Sequence, residues 1–378
     1  MRLVTIIFAL AAGFGLVQHL AGTLAVWRFA RRGRRGSQET PACPPMSILK
    51  PLHGDEALLE QALATFCRQD YPVFQVVFGV QDPADTALPV VRRLQAAFPV
   101  CDVALVADPT PHGPNRKIAN LINMLPHARH DVLVISDGDI HAPSDYLRRV
   151  AAELERPGVG LVTTLYSGLP GAPALACRLG ATQITHAFLP GVLLGRAFGR
   201  QDCLGATMAL RRETLAAIGG LPALVEQLAD DALLGILVRA RGLAVGLAAT
   251  LPATTVAETD LPALFQHELR WARTMRSVAP VGHALSILQY PIFWAAVAAI
   301  LAGFAWWALA LFAAAWIARA ALARRIDRDL GLATRAPFWL LPLRELMSMA
   351  VILANYASDR VRWRGQVLRV GRLHAAGR

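Results

Sequence analysis

Val132-Leu133-Val134-Ile135-Ser136-Asp137-Gly138-Asp139-Ile140 is the stretch on which the reading of the fold turns. Four apolar residues form a short strand of the fully buried kind, and the polar residues after it end that strand in a turn. Further short apolar runs rich in β-branched residues stand at 47–49, 73–80, 103–106 and 160–164. Helical stretches such as 57–67 and 86–97 lie between several of them. This alternation predicts an α/β domain over 46–257, with a mostly parallel sheet and helices on both faces. Such sheets bind ligands beyond the carboxyl ends of their strands, where Asp137 and Asp139 sit.

Outside this domain the chain changes character. Residues 3–27 carry no charge and are long enough to cross a bilayer, and Arg28, Arg31, Arg32, Arg34 and Arg35 follow at once. A cleaved signal peptide has the reverse order, so the expectation is an anchor with its amino end outside and the rest cytosolic. Residues 36–45 read as a linker. The segment 258–280 mixes charges with Leu261, Leu264, Phe265, Leu269, Trp271 and Met275, the pattern of an amphipathic interfacial helix. Residues 284–318 suffice for two joined spans, closed by Arg319, Arg324 and Arg325. A third apolar stretch, 336–358, holds Arg344 and Glu345. Four full crossings would leave the basic tail 359–378 outside, so this stretch is expected to be interfacial or re-entrant.

The composition agrees. Of the 378 residues 54% are hydrophobic, and mean hydropathy is +0.40. The net charge of +11 is almost wholly arginine, because Lys50 and Lys117 are the only lysines. Arginines bunched beside apolar runs favour an anionic membrane face. No basic strand carries the aromatics that stack on bases, so no nucleic-acid partner is expected. The five cysteines are scattered without a Cys-x-x-Cys pair and read as free thiols in a reducing compartment.

Several residues carry chemistry, each with a plainer alternative. Asp137 and Asp139 have the spacing to hold Mg²⁺ or Mn²⁺ together with substrate phosphates; a solvated polar turn is the alternative. Asp231, in Asp230-Asp231, reads as a general base for a hydroxyl acceptor or as part of a helix start. Arg270 suits a diphosphate and Trp271 an acceptor wall, unless both simply sit at a membrane interface. Lys50 and Lys117 stand beside turn residues, with surface placement the alternative for either.

Taken in order, the fragments resemble the ceramide glucosyltransferase family, and within it the bacterial hopanoid-biosynthesis glycosyltransferases. The resemblance runs through Lys50-Pro51-Leu52-His53-Gly54, Gln69-Asp70-Tyr71-Pro72, Val80-Gln81-Asp82-Pro83-Ala84-Asp85, Asn115-Arg116-Lys117-Ile118-Ala119-Asn120 and Ser136-Asp137-Gly138-Asp139. It continues through Gly205-Ala206-Thr207-Met208, Arg211-Arg212-Glu213-Thr214-Leu215, Ala229-Asp230-Asp231, Arg270-Trp271 and Trp363-Arg364-Gly365.

This resemblance implies a GT-A (nucleotide-diphospho-sugar transferase) fold, a UDP-sugar donor, a divalent metal (Mg²⁺ or Mn²⁺) and inversion at the anomeric carbon. It assigns Asp85, Lys50, Lys117, Asp137 and His267 to donor binding, Asp137 and Asp139 to metal, and Asp231, Arg270 and Trp271 to catalysis. His267 departs from the Gln or Arg that opens the family's last motif, which argues against a processive polysaccharide synthase. Asp139 is more acidic than usual for ceramide enzymes and favours the hopanoid branch. His186 matches a histidine linked to nucleotide binding, or is a helix histidine satisfied in the fold. The expectation is transfer of N-acetylglucosamine from UDP-GlcNAc to a hopanoid polyol such as bacteriohopanetetrol. UDP-glucose with ceramide or diacylglycerol as acceptor is the alternative. A multi-pass protein of the bacterial inner membrane with a cytosolic catalytic domain follows; an inactive scaffold is the reading from another class.

Overall fold

The computed structural model describes residues 2–35, 43–333, 335–358, 360–363 and 366–369. Most of the expected linker, Gly365 and most of the basic tail lie outside the described residues. In chain order the first elements are α1 (Arg2–Arg35), β1 (Met46–Pro51), α2 (Leu59–Cys67), β2 (Phe74–Val80), α3 (Ala87–Ala97) and β3 (Asp102–Ala107). Next come α4 (Arg116–Met124), β4 (Val132–Ile135), β5 (Ile140–His141), α5 (Tyr146–Leu154), β6 (Val159–Thr163) and β7 (Ser167–Pro170). Then follow α6 (Leu175–Gln183), α7 (Leu189–Ala197), β8 (Met208–Arg211), α8 (Arg212–Ala217), α9 (Asp230–Ala240), β9 (Ala244–Leu247) and β10 (Ala253–Val256). The last helices are α10 (Leu261–Val278), α11 (Pro280–Leu285), α12 (Pro291–Leu301), α13 (Trp306–Leu330) and α14 (Leu341–Asn355).

The elements fall into two units, each taken by itself. The α/β unit comprises 32–172 and 200–257; the helical unit comprises 1–31, 173–199 and 258–373.

In the α/β unit seven strands are ordered β3-β2-β1-β4-β8-β6-β9. β1 is parallel to both β2 and β4, and β8 is antiparallel to β4 and β6. Every residue of β4 is buried, as a central strand covered on both faces requires. The four-residue β8 is too short to stand out in the sequence, and its reversed direction is the main addition to the expected sheet. A second small sheet, β5-β10-β7, forms beside the turn that follows β4. Helix α4 begins where Asn115 accepts hydrogen bonds from Lys117 N and Ile118 N, an N-cap that fixes where Lys117 leaves the backbone.

The helical unit rests on close approach of small residues. Ala12, Ala295 and Ala315 are buried together in one cluster. A Cβ on Gly15 would stand 2.8 Å from Leu288 O, and one on Gly22 2.9 Å from Pro190 Cβ. Such contacts are the means by which helices associate in lipid. Leu3–Arg34, Trp306–Leu330 and Phe338–Asn355 are long and apolar enough to cross a membrane. Pro280–Gln289 and Pro291–Leu301 pass that test only together and are bent by 61°. Pro291 accounts for the break, since Tyr290 before it is forced out of the helical region, to φ −111° and ψ 74°. Of the two spans expected in 284–318, only the second is a straight helix of spanning length. Phe338–Asn355 is half buried within the protein, against 22% for the two other straight candidates.

One tight spot in the α/β unit lends itself to measurement. A Cβ on Gly79, near the carboxyl end of β2, would meet the Met124 thioether and stand 2.8 Å from Asn120 Oδ1. Gly79→Ala is expected to destabilise the protein by about 1–3 kcal/mol through overpacking. A lowered thermal midpoint shows it, and an unchanged midpoint speaks against so close a β2–α4 contact.

Candidate active site

Three loops deliver charge to one place in the α/β unit, and a fourth brings a glycine. The turn after β4 brings Asp137 and Asp139, the start of α4 brings Lys117, and the first turn of α9 brings Asp230 and Asp231. Gly205, just ahead of β8, completes the set. The Lys117 ammonium lies 2.8 Å from Asp137 Oδ1 and 3.2 Å from Asp230 Oδ2. Burial works against the charge of Lys117, but Asp137, Asp230 and Asp231 outweigh it and its pKa is raised. Asn115 adds a second tie, donating from Nδ2 to Gln227 O at 2.7 Å and to Asp230 Oδ1 at 3.4 Å.

Asp231 is placed differently from its neighbour. Its Oδ1 accepts from the Ala232 amide at 2.7 Å. Burial first, and Asp230 second, push its carboxyl up to about 6. A carboxylate with that pKa is suited to accept a proton near neutral pH. A Cβ built on Gly205 would sit 3.1 Å from Asp137 Oδ2, 3.4 Å from Asp231 Oδ2 and 3.6 Å from Lys117 Nζ. Glycine there leaves the two carboxylates a shared gap. Tyr166 lies in the same field: burial, then Asp231, Asp137 and Asp139, raise its phenol pKa.

Lys50 lies under the turn. It is fully buried, stacks over the Phe66 ring at 3.8 Å, and donates to the Asp137 carbonyl and to Ser136 Oγ. Burial lowers its pKa to about 7 against the pull of Asp139 and Asp137. Lys50, expected among the donor-binding residues, directs its ammonium to the Asp137 carbonyl and the Ser136 hydroxyl. Asp139 accepts from Thr254 Oγ1, and burial together with Asp137 raises its pKa.

Asp85 stands at the same edge of the sheet, between the loops after β1 and β2. Its Oδ1 accepts from Gly54 N and Ala87 N at 2.8 Å each, and its Oδ2 is 3.5 Å from His53 Nδ1. His267, Arg270 and Trp271 belong to α10 of the helical unit. There His267 Nδ1 bonds to Glu258 Oε1, and its ring meets Trp271 edge-on at 4.7 Å. His186, in a π-turn at Ile184–Phe188, is buried against Asp327 at 2.6 Å. Sequence reasoning singled out neither Asp230 nor Gly205 nor Tyr166 as site residues. The first two lay inside quoted motifs, yet nothing in a sequence tells which of two adjacent aspartates faces a lysine.

The donor set bears on a divalent cation. Among the described residues no group of three or more His, Cys, Asp or Glu side chains forms a protein-only cage. The site nevertheless gathers four carboxylates (Asp137, Asp139, Asp230, Asp231) around two lysines (Lys50, Lys117). The negative excess, with Asp137 and Asp139 on one turn, fits a hard cation whose remaining ligands come from phosphate and water.

Comparison with known proteins supplies the wider frame. The family model described as glycosyl transferase family 21 matches residues 4–376. Ceramide glucosyltransferase 1 of Caenorhabditis elegans is 23% identical over 274 residues, covering 71% of this chain and 57% of that protein. Ceramide glucosyltransferase of Candida albicans is 30% identical over 122 residues, covering 29% of this chain and 22% of that one. The chain thus spans less than two thirds of the length of either relative. The solved mannosyltransferase PcManGT from Pyrobaculum calidifontis, in complex with GDP-Man and Mn²⁺, is 20% identical. That comparison covers 92% of this chain and 99% of the other, with a TM-score of 0.49. The α/β unit, a mostly parallel sheet with an acidic turn at its ligand edge, has the GT-A fold.

The gap over Gly205 is directly testable. Gly205→Ala places a methyl group against side-chain ends, so the fold is expected to hold while turnover falls by at least about tenfold, ~1.4 kcal/mol in the barrier. An alanine variant with wild-type turnover would show that the gap is not used.

Proposed function

The chain belongs to glycosyl transferase family 21, and on that premise we propose that it is an inverting glycosyltransferase moving a hexosyl group from a UDP-sugar to a hydroxyl of a membrane lipid. The observation that carries this reading is the division of labour between two carboxylates around one glycine. Asp137 is tied to a lysine, and Asp231 is pushed up to about 6. In the proposed reaction Asp231 takes the proton of the acceptor hydroxyl as its oxygen attacks the anomeric carbon. The bond from that carbon to the diphosphate breaks with its electron pair leaving on UDP, and the configuration inverts. Lys117 keeps Asp137 and Asp230 in place and supplies positive charge at the phosphate side. Asp137 and Asp139 would hold a divalent cation, whose chemistry there is to offset the charge that builds on the leaving diphosphate. In this reading Asp85 serves the nucleotide, Arg270 the diphosphate and Trp271 the acceptor.

A ceramide-type acceptor with UDP-glucose as donor takes first place, because ceramide glucosyltransferases are among the relatives matched. Transfer from UDP-GlcNAc to a hopanoid polyol is the second reading, and the acidic turn at Asp139 is what favours it. Either acceptor suits a chain whose described residues include three helices of spanning length, and the catalytic unit is proposed to face the cytosol of the cell.

Two measurements test the proposal. Purified protein is offered UDP-glucose or UDP-GlcNAc with ceramide, diacylglycerol or bacteriohopanetetrol, and products are read by mass spectrometry. No glycolipid from any pair would refute lipid glycosylation. In the second, Asp231→Asn is expected to abolish transfer and leave UDP-sugar binding largely intact, whereas Asp137→Ala weakens binding itself. Equal loss of binding in both variants would contradict the assigned roles. The wild-type pH profile follows from the same group. A base works unprotonated, so kcat/KM should rise through pH about 6 and fall about tenfold per unit below it.

A further inference from the structure

The apolar stretch that became α14 carries two adjacent charges, Arg344 and Glu345, and both are buried, at 3% and 2% relative exposure. They point to different partners. Glu345 Oε1 accepts from Arg319 Nε of α13 at 3.1 Å, and its Oε2 accepts from Ile292 N and Phe293 N at the start of α12. Arg344 turns to α10. Its Nη1 and Nη2 each donate to Glu268 at 2.7 Å, a bidentate fork with the Glu268 side chain 10% exposed. Two further donors are engaged: Nη1 reaches Leu179 O at 3.4 Å, and Nε reaches Ser348 Oγ at 3.2 Å. Ser348 Oγ in turn donates to Gln183 Oε1.

Glu268 sits inside the segment His267-Glu268-Leu269-Arg270-Trp271. On a helix, residue 271 lies three positions on from 268 and shares its side of the helix. Fixing Glu268 therefore fixes the roll of α10 and the direction of Trp271. His267, bonded to Glu258 and edge-on to Trp271, fixes a second direction about 100° away. Stability alone does not explain the fork, since a buried ion pair is often no better than an apolar pair of similar volume. Its geometry does offer an explanation, because two parallel bonds to a planar guanidinium define an orientation that a point charge does not.

We propose that Arg344 is a positioning residue for glycosyl transfer: through its bidentate pair with Glu268, α14 sets the roll of α10 and with it the aim of Arg270 and Trp271. The inference rests on the reading that Arg270 and Trp271 take part in transfer. α14 is itself braced through Glu345 against α12 and α13, so the orientation is passed from one anchored helix to another.

The test uses the full chain in lipid-detergent micelles with whichever donor–acceptor pair the product screen selects. Arg344→Lys is expected to lower kcat at least about tenfold while donor KM stays within about twofold. Arg344→Met/Glu268→Leu, which keeps the helices packed without the fork, is expected to hold the melting temperature and still show the loss in kcat. On a Trp271→Phe background the Arg344→Lys effect should shrink, as it must if both act through one geometry. Wild-type kcat in Arg344→Lys or in the apolar double variant would overturn the inference, as would additive losses with Trp271→Phe. Arg270→Ala, assayed in parallel, separates the two levels. Full activity there removes the role of the motif itself, whereas an inactive Arg270→Ala beside a fully active Arg344→Lys removes only the role of Arg344.

Discussion

A half-buried ammonium holds the site together. Lys117 leaves the first turn of α4 and meets one carboxylate from the turn after β4 and another from the start of α9. Without it, Asp137, Asp230 and Asp231 would bring three negative charges together with no cation between them. Three loops far apart in sequence are thereby tied at one point. The Asn115 cap and the Lys50 ammonium under the Asp137 carbonyl belong to the same arrangement, because each sets a backbone that Lys117 then bridges. The raised pKa of Asp231 follows from its burial first and from the neighbouring Asp230 second, which together exceed the opposing pull of Lys117.

Much of this was legible beforehand, and the reasons are physical. A central parallel strand must be apolar on both faces, so Val132–Ile135 announced itself, and the acidic turn after it could lie only at the sheet's ligand edge. Helix–strand alternation gave the fold class for the same reason. What stayed hidden was short or relational. β8 has four residues and runs against its neighbours, and no local pattern reports direction. Gly205 reads as any glycine until the side chains converging on it are known. Lys50 reads as a lysine beside a turn, and only the sheet puts it beneath one. His186 looked equally suited to a ligand or to the fold, and its partner Asp327 lies too far along the chain to be paired by eye.

The helical unit poses a different problem, which is how apolar helices tolerate charge. Among the described residues its buried charges have partners: Arg319 with Glu345, Arg344 with Glu268, and Asp327 with the His186 ring. A lone charge in such surroundings would be prohibitive, whereas a paired one carries direction, which apolar packing between alanines and glycines lacks. The difficulty with counting crossings from the sequence has the same origin. Hydropathy sees length and apolarity, but the bend at Tyr290–Pro291 and the partial burial of Phe338–Asn355 depend on backbone sterics and on neighbours.

The insertion of residues 173–199 between β7 and β8 has a consequence for how the protein is made. This segment belongs to the helical unit, and most of that unit's remaining helices are encoded only after residue 258. β8, which lies between β4 and β6 in the sheet, is synthesised after the insertion. While residues 132–163 are already available, the sheet therefore waits with its centre missing until the ribosome has passed Arg211. The helical unit waits in turn for the whole of the α/β unit to be made. Neither unit is encoded by one contiguous piece of chain, so neither can be completed before segments of the other have been made.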